Sequence, residues 1–141
     1  MNTHHFPIRV YYEDTDHGGV VYYANYLKFM ERGRTEFLRT HGIELDQVQR
    51  DLGMMFVVTE VNIRYKGAAR FNDMLDIESG LIRASGARIG FTQHINRLEG
   101  DEPITLTQAS VQLACVNKHG KPCLIPKQLL SLLQQYIHKE V

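Results

Sequence analysis

Apolar positions change period along the chain, and those changes divide it into elements. Ile8 to Tyr12 is a β-branched and aromatic run that predicts a first strand. It stops at Glu13-Asp14-Thr15-Asp16-His17-Gly18-Gly19, where acids and paired glycines are loop chemistry. From about Ala24 to His41 the step becomes helical: Tyr26, Met30, Gly33 and Phe37 follow at spacings of four, three and four, and Leu27 and Leu38 widen the stripe. Glu31 with Arg34 and Arg32 with Glu36 are predicted to pair on this helix, Asn25 to cap its start, and Gly42 to cap its end. Gly33 lies on the buried stripe, where a missing side chain costs about 1 kcal/mol of helix propensity but admits another backbone.

After Gly53 the period becomes two. Val57, Val61, Ile63 and Tyr65 are expected to face one way and Glu60, Asn62, Arg64 and Lys66 the other. Leu75, Ile77 and Leu81, then Ile89, Phe91 and Ile95, then Ala109, Val111, Leu113 and Cys115 repeat the alternation. Gly86, Glu99-Gly100-Asp101 and His119-Gly120 separate these runs at hairpin lengths, so consecutive strands should be antiparallel neighbours. After Pro126, Leu129, Leu130, Leu133 and Ile137 return to helical spacing. Four or five strands with one apolar face need a cover, and only one long helix is available, so the expectation is an α+β fold whose antiparallel sheet wraps the Tyr26 to Leu38 helix. One helix covers too little of such a sheet, and dimerisation is expected.

With 141 residues the chain is expected to form one domain, 1–141. Hydrophobic residues at 43% and charged ones at 23% exclude a disordered chain or a disulfide scaffold. Sixteen bases balance sixteen acids, which argues against nucleic acid as a partner. No apolar run approaches the ~20 residues of a transmembrane segment, and Met1 to Pro7 does not read as a signal peptide, so the cytoplasm is the expected compartment. Cys115 and Cys123, without CxxC spacing or a pairing framework, read as two reduced thiols.

The chemistry concentrates between the first strand and the long helix. Asp16 precedes Gly18-Gly19-Val20-Val21-Tyr22-Tyr23, near a helix start whose unpaired N–H groups favour negative charge. A carboxylate beside free N–H donors has the two parts acyl transfer needs: a base or nucleophile, and a place for the carbonyl oxygen's developing charge. An acid before a helix is also the commonest N-cap, so spacing alone does not decide between catalysis and capping.

The run Arg9-Val10-Tyr11-Tyr12-Glu13-Asp14-Thr15-Asp16-His17-Gly18-Gly19-Val20-Val21-Tyr22-Tyr23-Ala24-Asn25-Tyr26-Leu27, continuing to Phe29, Glu31, Arg32 and Arg34, resembles the signature of the 4-hydroxybenzoyl-CoA thioesterase family. Within that family it looks most like the acyl-CoA thioesterases associated with the Tol-Pal system. The resemblance is dense over residues 8 to 38 and thins to pattern through Phe56 to Pro126. It implies a hotdog fold, a homodimer or homotetramer with sites at the dimer interface, and hydrolysis of acyl-CoA without cofactor or metal. It also implies acyl carrier protein as a partner and a place at the inner membrane periphery. Asp16 falls on the family's catalytic carboxylate, which attacks the thioester or activates water, and Tyr23 on the residue whose backbone N–H polarises the carbonyl. Many relatives of that subgroup carry His at the place of Tyr23, although a main-chain donor survives the exchange.

His17, Gly19 and Val21 are expected at the substrate, and Arg64, Lys66 and Arg88, with Arg70, at the phosphates of coenzyme A, although strand faces carry such charges routinely. Asp14, Asp16 and His17 imitate metal ligands but lack a fourth partner. Glu31 is the rival carboxylate, with a paired structural role the blander reading, and Met54-Met55-Phe56 either lines an acyl pocket or packs the core. The competing functions are a non-catalytic acyl-CoA or acyl-carrier-protein binding module and a hotdog dehydratase, for which His94 with Glu31 is the obvious acid–base pair.

Overall fold

The computed structural model describes residues 3–138. The strands are β1 (Thr3–Arg9), β2 (Met54–Tyr65), β3 (Met74–Ser85), β4 (Arg88–Glu99) and β5 (Glu102–Asn117); the helices are α1 (Asn25–Thr40), α2 (Leu45–Leu52) and α3 (Lys127–Gln134). The strands form one antiparallel sheet in the order β1-β3-β4-β5-β2, which makes β1 and β2 its edges. Among the described residues no helix is long and apolar enough to cross a membrane.

Helix α1 lies in the concave face of the sheet against β1, β3 and β4 and buries Tyr26, Met30, Gly33, Phe37 and Leu38 as its stripe predicts; Phe29 joins them, whereas Leu27, expected to widen the stripe, is exposed. Gly33 is where helix and sheet meet most closely: a Cβ there would sit 2.5 Å from Ile77 Cγ2 and 3.1 Å from Ser79 Oγ. Around that contact a polar layer crosses the core. Gln93 Nε2 donates to Met30 O at 2.9 Å and to Ser79 Oγ at 2.8 Å, while its Oε1 accepts from buried Arg34 at 2.9 Å. Two apolar clusters lie on either side, one under the 10–24 and 66–73 loops and one closed by the end of α1 with α2 and α3.

The structure redraws several predicted details. The first strand spans Thr3–Arg9 rather than Ile8 to Tyr12; at Tyr11 the Asp14 carboxylate accepts the main-chain N–H at 2.8 Å and a short 3-10 turn begins at Tyr12. Helix α2 was not anticipated. In β2 a bulge between Val58 and Glu60 reverses the alternation. Val57 therefore lies opposite Ala114 on the outer face, while Val58 stands opposite Leu113 and Val61 opposite Val111 on the inner face. Arg34 takes Gln93 instead of forming an ion pair with Glu31, Arg32 lies over the Phe29 ring at 5.9 Å, and Glu36 pairs with Arg39. Asn25 is the first helical residue and does not cap; its Nδ2 donates to Asp14 O at 2.9 Å.

Candidate active site

The Asp16 loop is a small hairpin fastened to its neighbours by main-chain bonds. Thr15 bridges Val21, Asp16 N–H donates to Val20 O at 2.8 Å, and Gly19 N–H donates to Asp16 O at 3.0 Å. Gly19 has φ +82°, a conformation that L side chains rarely adopt. On its other side the hairpin bridges Val20 to Arg70, and Val21 N–H donates to Ala69 O at 2.8 Å. That leaves Asp16 exposed, with Oδ1 accepting Gly18 N–H at 2.8 Å. This bond orients the carboxylate and leaves Oδ2 without a hydrogen-bond partner among the described residues. A Cβ on Gly18 would come within 3.3 Å of Oδ1, so the glycine keeps that face open.

Asp16 is not the helix cap. Helix α1 starts after Ala24, whose side chain makes no cap, and the turn before it is tied by Tyr22 N–H to Asp14 O at 3.1 Å and Asn25 N–H to Tyr22 O at 2.8 Å. Among the described residues Tyr23 N–H makes no hydrogen bond, as befits a donor at a helix entrance. The peptide beside it is held from the carbonyl side, where the Tyr65 hydroxyl at the end of β2 donates to Tyr23 O at 3.0 Å. Burial, then the Tyr23 and Tyr26 phenols, push the Tyr65 hydroxyl above the usual phenol range, so it stays a donor. Tyr26 holds the floor: its oxygen accepts Ala69 N–H at 2.9 Å, and its own titration is raised, chiefly by burial, with Asp73 and Asp16 adding to the effect.

Tyr65 was read only as an apolar strand position. The available signal was a phenol at the end of an inward-facing run, whose hydroxyl needs a partner when half-buried. His17 and Gly19 are exposed beside Asp16. Val21 packs in the core at 3% exposure and spends its N–H on Ala69, so its place is structural. Arg64, Lys66 and Arg70 are exposed at the same end of the sheet as the loop. Arg88 opens β4 opposite Ala114, seven residues along the strand from Ile95 in the Tyr65 row, a separation of roughly 20 Å. Asp14 and Asp16 do not converge on one point, since each carboxylate serves a different main-chain N–H. His94 sits on the outer face 3.9 Å from Glu78, and Glu31 rides on α1 across the sheet, so the pair a dehydratase needs is not assembled. Met54 is core, whereas Phe56 lines a groove of about 150 Å³ with Val58, Glu31, Arg34 and Leu38.

A sheet curled around one helix, and a loop that delivers an acid to that helix's entrance, place this protein among the hotdog thioesterases. The chain belongs to the Thioesterase-like superfamily, which its residues 10–133 match. It is similar to the acyl-CoA thioesterase YbgC of Haemophilus influenzae, 42% identical over 125 residues that cover 88% of this chain and 89% of that one. A probable thioesterase from Bartonella henselae superposes with a TM-score of 0.80 at 38% identity, covering 88% of this chain and 99% of that one. A 4-hydroxybenzoyl-CoA thioesterase solved with 4-hydroxybenzoyl-CoA superposes with a TM-score of 0.87 at 16% identity, covering 94% and 99%, a likeness of fold.

Proposed function

We propose that this thioesterase hydrolyses acyl-CoA, with Asp16 as the catalytic carboxylate and the Tyr23 amide as the oxyanion donor. The observation that carries the reading is an exposed, singly bonded carboxylate in the loop that ends at an unspent N–H. The thioester carbonyl would lie between them with its oxygen toward Tyr23 N–H. Asp16 either attacks the carbonyl carbon or takes a proton from a water that does. In both cases negative charge gathers on the carbonyl oxygen, where a fixed donor stabilises it most, and the C–S bond breaks to release the coenzyme A thiol. His17 and Gly19 line the approach, and Arg64, Lys66 and Arg70 offer charge to the phosphates at the same end.

The unit of function we infer is a dimer through β2. That edge strand leaves Val58, Val61 and Tyr65 exposed on its inner face, and two copies paired antiparallel would bring the far end of one sheet beside the Asp16 end of the other. Arg88 would return to a substrate in that arrangement. Light scattering should give twice the mass of one chain, falling to one for Val61→Asp. Acyl carrier protein as an acyl donor and a Tol-Pal connection follow from the subgroup likeness, and the cytoplasm stays the compartment expected from the apolar pattern of the chain. The deciding experiment is release of free thiol from a panel of acyl-CoAs by wild type and Asp16→Asn. Turnover that the substitution abolishes supports the reading; saturable binding without turnover in the wild type means a binding module instead.

A further inference from the structure

Away from the Asp16 loop, the end of β5 turns back on itself. Asn117 N–H donates to Lys121 O at 2.9 Å, Val116 bridges Pro122, and Cys123 N–H donates to Cys115 O at 3.0 Å. Residues 115 and 123 are thereby facing neighbours on two antiparallel segments, and facing neighbours share a side. Their sulfurs stand 3.3 Å apart as free thiols. A disulfide's sulfurs are about 2.0 Å apart, so closing the gap takes a movement of just over ~1 Å. The two thiols differ in access. Cys115 is fully buried and its thiol is pushed up to about 12, first by burial and then by Cys123 beside it; Cys123 is partly open to solvent.

We propose that Cys115 and Cys123 are a disulfide-forming pair, a modification site closed by exchange with a low-molecular-weight disulfide such as oxidised glutathione. The Cys123 thiolate attacks one sulfur of the small disulfide; that S–S bond breaks, and the released thiolate takes up the proton Cys123 gave up. Cys115 then loses its proton and its sulfur attacks Cys123 Sγ, expelling the second small thiolate, which is protonated in turn. Two protein S–H bonds become one S–S bond, and two electrons reduce the small disulfide to two thiols. Access dictates this order, with Cys123 attacking first and Cys115 resolving. The closed loop ties the end of β5 to the segment that enters α3, whose Leu129 and Leu133 share a buried cluster with Cys115.

The test uses purified full-length protein treated with oxidised glutathione, then alkylated under denaturing conditions and weighed intact. The wild type should lose the mass of two hydrogens, take up no alkylating agent, stay free of interchain links on a non-reducing gel, and melt roughly 5 °C higher until dithiothreitol is added. Cys115→Ala should instead stop with one glutathione on Cys123, and Cys123→Ser should remain unmodified. Wild type that retains a stable glutathione adduct on Cys123, links chain to chain, or still alkylates at both thiols overturns the proposal.

Discussion

The two apolar clusters on either side of Gly33 are closed in opposite ways. At the far end the cluster is closed by Phe37 and Leu38 of α1 and Leu129 and Leu133 of α3, with Ile43 from the link between α1 and α2 and with Leu45 and Val48 of α2 packed against it. At the site end, Val10, Val21, Tyr26, Phe29 and Ala69 are roofed by irregular chain held by single bonds, such as Val10 N–H to Asp73 O at 2.9 Å and Asn72 N–H to Val10 O at 3.0 Å. Irregular backbone has amides to spare, and Tyr23 N–H is one of them. The same sheet is thus covered mainly by helices at one end and by irregular chain with an amide to spare at the other.

The largest effect is expected from Asp16→Asn at the site end. The amide oxygen can still accept Gly18 N–H, so the thermal midpoint should barely move while kcat falls by about 10²–10⁴-fold, measured as thiol release. A variant that loses stability in step with activity would mean that the loop is structural. Gly33→Ala strikes the seam between the clusters: its methyl collides with Ile77, and chemical denaturation should register a loss of about 1–3 kcal/mol with unchanged activity per folded molecule. Tyr65→Phe removes only the bond to the Tyr23 carbonyl. We expect kcat to fall by roughly 3- to 10-fold with KM little changed, corresponding to about one lost hydrogen bond.

The smallest effect belongs to the far end and concerns acid. His41 stacks on Tyr136 at 3.7 Å, and His4 meets Phe37 edge-on. Burial lowers the titration of both imidazoles; His5 adds to this for His4 against the opposing Glu36 and Asp76, and His4 adds to it for His41. An unfolded chain then binds protons more readily than the folded one, so stability should decline as pH falls through about 6.5 and level off below the folded values. His41→Phe should flatten that slope in thermal melts, and an unchanged slope would remove the cluster from the account.

Much of this was readable from residue order. The Tyr26 to Leu38 stripe, the Gly86 and Gly100 turns and the alternation in three strands are local periodicities, and local periodicity survives folding. Helix α2 escaped notice because eight residues carry little period, although Leu45, Val48 and Leu52 sit at helical spacing. The candidate site was legible in its acid and its glycines. Its support was not, because Tyr65 reaches Tyr23 only after 42 residues of chain have returned. The partners of Arg34 and the closeness of the two cysteines are likewise products of sheet register, which no single stretch of sequence contains.

The extra residue in β2 sets a reading frame for everything after it. Beyond Thr59, Val61, Ile63 and Tyr65 point inward only because one position has been inserted, so deleting that position would turn all three outward in a single event. The phenol that steadies Tyr23 would leave with them. Loss of one residue at this point should therefore do more harm than a side-chain replacement at any one of these positions.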